Sequence, residues 1–252
     1  MHERFRFGLD GAVWTPAYLP AWSSLREAAA AFSVDAKGLH LTIPDEHPLW
    51  CPGLHDGALR VSAVQSGNWS GPVGSSRGQQ PFREGLVVRE QQPTRWGFTP
   101  EYGRVEVVCR AVIGPGSMWS AWLVGLEDVP ERSGEICLVE VFGDAVQTGP
   151  AGEVTAAVGS GIHRFRDRSL REEFDAPRMA LDVRERHHYA VQWRPGSVTF
   201  AIDGVPTRAL DQAPDYPMQL ILGVFDFPDR PRPAGLVPEL VVESVTGTAP
   251  EA

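Results

Sequence analysis

Apolar and polar residues alternate along much of this chain, in short runs rich in valine, leucine and isoleucine. Side chains on a β-strand point to opposite faces in turn, so this alternation is typical of strands with one buried face. Turn-forming residues bound most of the runs. Many short strands at short intervals predict an all-β fold, an antiparallel β-sandwich or jelly roll with a concave cleft. The predicted strands are Leu39–Ile43, Leu59–Val64, Leu86–Glu90, Arg104–Ile113, Met118–Leu126, Ile136–Phe142, Val154–Gly159, His188–Trp193, Val198–Ile202, Met218–Val224 and Leu240–Val245.

The segments between these runs differ in their patterns. The alanine-rich stretch Leu25–Phe32 predicts a short helical turn. The dipeptides Pro195-Gly196 and Asp203-Gly204 predict tight turns between strands. Two long segments, Gln65–Arg83 and Ser160–Asp182, lack a regular pattern. Because long irregular connections are more often functional than not, we expect both segments at the rim of the cleft.

The composition changes this picture little. With 252 residues, 42% hydrophobic content, 26 Gly and 22 Pro, the chain fits one globular domain over residues 1–252 with many turns. The formal net charge of −9 argues against nucleic acid and anionic membrane surfaces as partners. This net charge agrees with a weakly charged ligand such as a glycan. We also expect the protein to be a monomer.

Two carboxylates interrupt an apolar strand in the middle of the chain, the run from Glu135 to Glu140. Carboxylates are rarely buried without a partner or a chemical role. Strict alternation would point the two Glu side chains to opposite faces, whereas a β-bulge between Cys137 and Glu140 would put them on one face. A pair of carboxylates roughly 5–6 Å apart is the apparatus of retaining glycoside hydrolysis. The alternative is a strand with two surface glutamates.

The cysteines and the N-terminus bear on the compartment. Cys51, Cys109 and Cys137 are an odd number without metal-ligand spacing, which predicts three reduced thiols and no metal site. The first residues lack the apolar core of a secretory signal, and no stretch is long enough to span a membrane. As the sequence stands we expect a cytoplasmic protein, and a secreted one if a leader has been removed.

Several motifs occur in an order that resembles glycoside hydrolase family 16, the group of laminarinases, lichenases and carrageenase-like enzymes. The similarity spans about residues 84–245, and its central motif is similar to the family's Glu-x-Asp-x-x-Glu, which also exists one residue shorter without the bulge. The other matching segments are Tyr102–Val107, Met118–Leu123, the hairpin from His188 through Trp193, Pro195 and Phe200 to Asp203-Gly204, and Pro217–Gly223.

The resemblance implies a concanavalin A-like jelly roll and a glycoside hydrolase, or a transglycosylase that uses the same covalent intermediate. It implies Glu135 as the nucleophile and Glu140 as the acid/base. Cys137 stands where the family has an Asp that hydrogen-bonds the nucleophile, and a thiol is a weak donor. We therefore expect weakened or altered activity, with Cys137 an inert packed thiol rather than a reactive one. No cofactor is expected, although the resemblance allows a structural calcium on the outer face.

Five further residues are candidates for binding substrate, each with an alternative. Trp122 matches the second Trp of a family strand and is either a sugar-stacking platform or core. Trp69, in an irregular loop, either lies at the rim or covers the edge of the sandwich. His163 and Arg77 are either cleft residues or solvated loop residues. Asp226, between two phenylalanines, is either cleft-facing or a turn cap.

Three functions stay open at this point. The first is a retaining endo-β-glycosidase acting on β-linked glucans or galactans. The second is a non-catalytic carbohydrate-binding protein on the same sandwich. The third is an intracellular enzyme acting on a small glycosylated metabolite. The two carboxylates favour catalysis, because a binding module has no need of two costly buried charges.

Overall fold

β-Strands and irregular connections account for almost all of the chain in the computed structural model, which describes residues 1–249. The described part also holds two 3₁₀-helices of one turn each, Pro20–Trp22 and Gly143–Ala145, and no helix in it is long and apolar enough to cross a bilayer. The strands are β1 (His2–Glu3), β2 (Ala31–Asp35), β3 (Gly38–Thr42), β4 (Arg60–Gln65), β5 (Gly67–Asn68), β6 (Arg95–Trp96), β7 (Gly103–Val112), β8 (Ser117–Gly125), β9 (Glu135–Phe142), β10 (Val146–Thr148), β11 (Val154–Ala157), β12 (Gly159–His163), β13 (Glu173–Asp175), β14 (Arg178–Met179), β15 (His187–Arg194), β16 (Ser197–Ile202), β17 (Val205–Leu210), β18 (Met218–Asp226) and β19 (Glu239–Thr248).

Two large antiparallel sheets form the sandwich. The eight-stranded sheet has the order β17-β16-β15-β7-β19-β3-β2, with β1 paired to β19. The six-stranded sheet has the order β13-β12-β9-β8-β18-β4. Two small sheets, β10-β11-β14 and β5-β6, lie in the connections. The all-β sandwich that the alternation predicted is confirmed.

The main core fills the space between the two large sheets. Trp119 from β8 and Ile136 from β9 meet Val107 from β7 and Tyr189 from β15, and all four are at most 1% exposed. The rings of Trp119 and Tyr189 pack edge to face with centroids 5.2 Å apart. Burial of these large side chains is the main stabilising contribution to such a sandwich.

A second, smaller apolar cluster lies on the other side of the six-stranded sheet. We call this side the cleft face, defined by Ser120 and Trp122 of β8 and by Glu135, Cys137 and Glu140 of β9. Irregular segments of the N-terminal ninety residues pack against part of it. The cluster members from these segments include Ala17, Leu19, Trp22, Trp50, Leu86 and Val88. The cleft face is therefore walled by loops rather than by a second sheet.

The structure confirms one further predicted element in part and corrects another. Leu25–Phe32 forms a single turn, in which the Ala28 N–H donates to the Ser24 carbonyl, and then enters β2. Leu86–Glu90 is irregular, because the hydrogen bonds of its Val88 go to the backbone of a neighbouring loop at Gly74 and Ser75. The other predicted strands are present, and Ser160–Asp182 holds most of β12 together with β13 and β14. Residues 250–252 of the predicted domain lie outside the described part.

Candidate active site

A β-bulge in β9 brings two carboxylates to the cleft face. Ala121 of β8 lies opposite Val139, and the next residue, Trp122, lies opposite Cys137, so Leu138 is an extra residue in β9. The pairing of β9 with β12 shifts at the same place. Leu138 and Val139 both point into the main core, and the alternation resumes with Glu140 on the cleft face. The predicted bulge is confirmed, and it restores the phase of the two glutamates.

Glu135 and Glu140 line one pocket of about 250 Å³. The walls come from three strands of the six-stranded sheet and from loops that cross the cleft face. The lining residues are Tyr18, Leu59, Gln80, Met118, Ser120, Trp122, Glu135, Glu140, Phe225 and Phe227. Carboxylates in a small, largely apolar pocket are poorly solvated, and this environment controls their protonation.

Glu135 is the more deeply placed carboxylate, with 8% of the residue exposed. Burial, and then the negative charge of Glu140, raise the pKa of Glu135 to about 8. The Gln80 side-chain amide donates a hydrogen bond to Glu135 Oε2 at 3.1 Å, which opposes that rise because it favours the charged form. Gln80 is thus the hydrogen-bond donor that restrains Glu135.

Glu140 is less deeply placed, and burial raises its pKa as well, while His163 acts in the opposite direction. His163 lies opposite Glu135 on the neighbouring strand β12. Its Nδ1 pairs with Glu172 at 2.5 Å, and its ring stacks on Phe174 with centroids 4.6 Å apart. His163 therefore acts on Glu140 from beside the pocket, and its ring is held by Glu172 and Phe174.

Cys137 lies on the cleft face between the two glutamates in sequence and is fully buried. Burial, together with the charges of Glu135 and Glu140, raises the pKa of its thiol well above the usual value. Its sulfur lies 3.9 Å from Ser120 Oγ, at the limit of a weak hydrogen bond. A thiol held in the neutral form is a poor nucleophile, which agrees with the inert thiol expected from the sequence. All three cysteines are free and buried.

Two residues of the pocket, Tyr18 and Gln80, carry no signal of their own in the sequence. Both come from irregular segments that reach the cleft face only through tertiary packing. Gln80 lies inside Gln65–Arg83, one of the two segments predicted at the rim, and its backbone is left-handed with φ 42°. The Glu127 carboxylate accepts a hydrogen bond from the Gln80 N–H at 2.5 Å and fixes that conformation. The only hint of Gln80 in the sequence was that Gln65–Arg83 lacks a regular pattern, which predicted a segment at the rim of the cleft.

Trp122 lines the pocket beside the two glutamates. Its ring packs on Phe225 with centroids 6.1 Å apart and against the edge of Tyr18 at 6.3 Å. Only 4% of the residue is exposed. Stacking of a sugar on Trp122 stays a prediction, since Tyr18 and Phe225 already cover much of the ring.

Trp69 and Arg77 do not line this pocket. The Arg77 guanidinium lies over the Trp69 ring at 5.2 Å from its centroid and donates to the Asp128 carbonyl at 2.7 Å. The two residues therefore interact with each other within the segment Gln65–Arg83. Any contact between them and substrate stays a prediction.

The structure places Asp226 away from the pocket, and the expectation of a cleft-facing substrate ligand needs correction. Asp226 ends β18, where its neighbour Phe225 takes the cleft face, so the Asp226 side chain has the opposite direction. Its carboxylate is 2% exposed and forms ion pairs with Arg60 and Arg232, each at 3.1 Å. Asp226 thus links the end of β18 to the start of β4 and to the connection that carries Arg232.

A metal site finds no support from side chains. In residues 1–249, no three of His, Cys, Asp or Glu come together in a group that could hold a metal ion. The structural calcium that the family resemblance allows stays a prediction, and no step below depends on it.

Comparison with known proteins adds to this geometry. A sequence model of the family described as "Glycosyl hydrolases family 16" matches residues 95–236, which include both glutamates and the bulge. No curated protein sequence matches the chain.

The fold is similar to that of several solved enzymes. One is a GlcNAcα1-4Gal-releasing endo-β-galactosidase from Clostridium perfringens, with a TM-score of 0.80 and 23% identity over 97% of this chain and 61% of that one. Another is the laminarinase catalytic domain of Thermotoga maritima, with a TM-score of 0.62 and 15% identity over 100% and 98%. A third is the Crh5 transglycosylase, at 0.56 and 16% over 100% and 84%. The chain thus spans about three fifths of the endo-β-galactosidase.

Proposed function

This chain belongs to glycosyl hydrolases family 16, and we propose that it is a retaining endo-β-glycosidase that cleaves β-linked glycans of the glucan or galactan type. The matched family and its structural neighbours are glycoside hydrolases and transglycosylases. The observation that carries the proposal is the pair Glu135 and Glu140, which line one pocket on the cleft face because of the bulge at Leu138.

The reaction needs one charge and one proton on this pair. Glu135 attacks the anomeric carbon as a carboxylate, while Glu140 gives its proton to the leaving glycosidic oxygen. A covalent glycosyl-enzyme forms, and the bond from the anomeric carbon to that oxygen breaks. Glu140 then takes a proton from water, whose oxygen attacks the anomeric carbon and releases Glu135. The sugar leaves with its original anomeric configuration.

The raised pKa values bear on how many protons this pair carries when the cycle begins. Two carboxylates that share a poorly solvated pocket cannot readily both be ionised, so between its two macroscopic pKa values the pair carries one proton. That proton count is the one the first step requires. The hydrogen bond from Gln80 favours charge on Glu135, and His163 acts on Glu140. Substrate binding would then have to place the one proton of the pair on Glu140.

The galactan class has additional support from the overall fold. The TM-score is 0.80 with the endo-β-galactosidase and 0.62 with the laminarinase. Loops determine the shape of the cleft in such a sandwich, so a closer match over 97% of this chain favours a galactose-containing substrate. The partner expected in either case is a carbohydrate chain.

Sugar release from β-glucans, β-galactans and N-acetylhexosamine-containing galactans tests the proposal, with the wild type beside Glu135→Gln. We expect release by the wild type alone, and proton NMR of the first product should show the β-anomer before it equilibrates. Glu131→Gln, an exposed glutamate outside the pocket, is the matched control and should behave as the wild type.

An unchanged rate in Glu135→Gln would overturn the proposal. Release of the α-anomer first would overturn the retaining mechanism alone. Binding without release by the wild type would favour the carbohydrate-binding protein.

A further inference from the structure

A second cavity adjoins the catalytic pocket. Its volume is about 370 Å³, within the range of ligand sites, and Tyr18 and Gln80 belong to both cavities. The remaining walls come from the loops after β8 and after β12 and from the segment before Arg83. The lining residues are Tyr18, Gln80, Pro81, Phe82, Glu127, Ser133, Phe165 and Arg166. The two cavities therefore share a wall, and a glycan in the catalytic pocket has this cavity beside it.

The larger part of the cavity wall is apolar, with Pro81 and Phe82 on one segment and Phe165 on another. Phe165 is 54% exposed, and its backbone is left-handed with φ 43°. A large aromatic residue in that conformation is uncommon and strained, and such strain clusters at ligand sites. Phe82 is backed by Trp50, with ring centroids 4.8 Å apart.

The loop that carries Phe165 is firmly held. The Arg166 N–H donates to Ser133 Oγ at 2.9 Å, and the Asp167 N–H donates to the Arg164 carbonyl at 2.8 Å. The Asp167 carboxylate accepts from the buried Tyr216 hydroxyl at 2.7 Å. Phe165 is thus presented at the cavity by a rigid loop, which is what a specificity residue requires.

The charges in the cavity compensate one another. Glu127 is 2% exposed, and its carboxylate forms an ion pair with Arg166 while it also accepts from the Gln80 N–H. An arginine already paired with a buried carboxylate is a weak site for a second anion. The cavity therefore suits a neutral group that has an apolar end and can accept or donate hydrogen bonds.

We propose that this cavity is a subsite that takes the acetamido group of an N-acetylhexosamine in the substrate chain. The inference rests on the proposed function and narrows its substrate class. The acetamido methyl lies against Phe165 and Phe82, and the amide faces the polar side formed by Ser133 and the Glu127–Arg166 pair. A plain hexose leaves the aromatic wall unfilled, and an acidic sugar meets an arginine whose charge is already compensated.

The test uses two synthetic β-galactosides of equal length in which the sugar next to the cleaved galactose is N-acetylglucosamine or glucose. We measure kcat/KM with the wild type, and affinity by calorimetry with the inactive Glu135→Gln protein. One buried methyl group in a pocket gives about tenfold discrimination or more, so we expect at least about a tenfold preference for the acetylated chain. Phe165→Ser should bring that preference close to unity. Phe32→Ser, an exposed position on β2 of the other sheet, is the control and should keep the preference.

The two measurements separate the inference from the proposed function. Equal affinity and rate for both chains, or a preference that survives Phe165→Ser, overturns the subsite while glycosidase activity stands. A Phe165-dependent preference in binding without any cleavage supports the subsite and overturns the proposed hydrolysis. Tighter binding of phenyl β-galactoside than of the acetylated chain, lost in Phe165→Ser, overturns the acetamido assignment in favour of an aromatic aglycone.

Discussion

The two faces of the six-stranded sheet are made from the same strands and differ in almost every other respect. On the core side, β8 and β9 present Trp119, Ala121, Leu123 and Ile136, all fully buried against the other sheet. On the cleft side the same strands present two carboxylates, a thiol and a serine. The core face therefore supplies the free energy of folding, while the cleft face carries groups that cost stability and supply chemistry.

The comparison is sharpest along β9. Up to the bulge, consecutive residues alternate between a side chain that stabilises the sandwich and one that serves the pocket. A change on the cleft side is therefore expected to alter activity or its pH dependence while the fold persists. A change on the core side is expected to lower the free energy of unfolding first.

The largest expected effect comes from Glu140→Gln. The variant removes the proton donor of the first step, and general acid catalysis contributes about 10²–10⁴-fold. We expect kcat/KM for a natural glycan to fall by that factor. The loss should be much smaller for a 2,4-dinitrophenyl β-glycoside, whose leaving group needs no protonation. Equal losses on both substrates, measured by initial rates, would contradict the assignment of Glu140 as the acid.

The second effect concerns stability and pH. The folded protein binds the Glu135 proton more tightly than the unfolded chain does, because its pKa rises from 4.5 to about 8. The stabilising contribution of this protonated group is therefore complete at low pH and is lost as pH rises through that window. We expect the free energy of unfolding in urea to fall by on the order of 2–4 kcal/mol from about pH 5 to about pH 8.

Glu135→Gln carries no charge and should flatten most of that pH dependence while it raises stability at about pH 8. Glu131→Gln, at an exposed site, should retain the wild-type slope. A wild-type stability that rises over the same range would show that Glu135 is not the group in control.

A smaller effect separates two neighbours of Glu135 on the cleft face. A hydrogen bond to a charged group is worth about 1.5–3 kcal/mol, so Gln80→Leu should lower kcat/KM by about 10–100-fold. The variant should also move the acid limb of the pH profile to higher pH, because the lost hydrogen bond favoured the ionised form of Glu135. Cys137→Ala should change kcat/KM by less than about threefold. A loss in Cys137→Ala as large as that in Gln80→Leu would transfer the restraint of Glu135 to the thiol.

The difference between the two faces also explains how far the sequence could be interpreted. The core side follows strict alternation, which gave the sandwich and most of its strands. The pair Glu135 and Glu140 was predictable on the cleft side because its spacing breaks the alternation, so a bulge was the way to bring both to one face. Where the alternation of apolar and polar residues was present, or was clearly interrupted, the sequence was sufficient to predict the strand and the face of its side chains.

The remainder depended on tertiary contacts that leave no local pattern. Tyr18 and Gln80 reach the pocket on irregular segments, and their backbones satisfy hydrogen bonds with other loops. The alternation of Leu86–Glu90 reflects packing on the second apolar cluster instead of a place in a sheet. Asp226 is an acidic residue between two phenylalanines, which suggested a cleft position. Its ion pairs with two arginines distant in sequence place it elsewhere.

The extra residue in β9 has a consequence for how this gene can vary in length. Loss of a single codon within a strand ordinarily turns every later side chain to the wrong face. Loss of the codon for Leu138 would instead leave four steps from Glu135 to the second glutamate, an even number that keeps both on the cleft side. An in-frame deletion of this codon removes the bulge and one core side chain but keeps both carboxylates on the cleft face. Lineages with and without the extra codon can therefore carry the same pair of carboxylates.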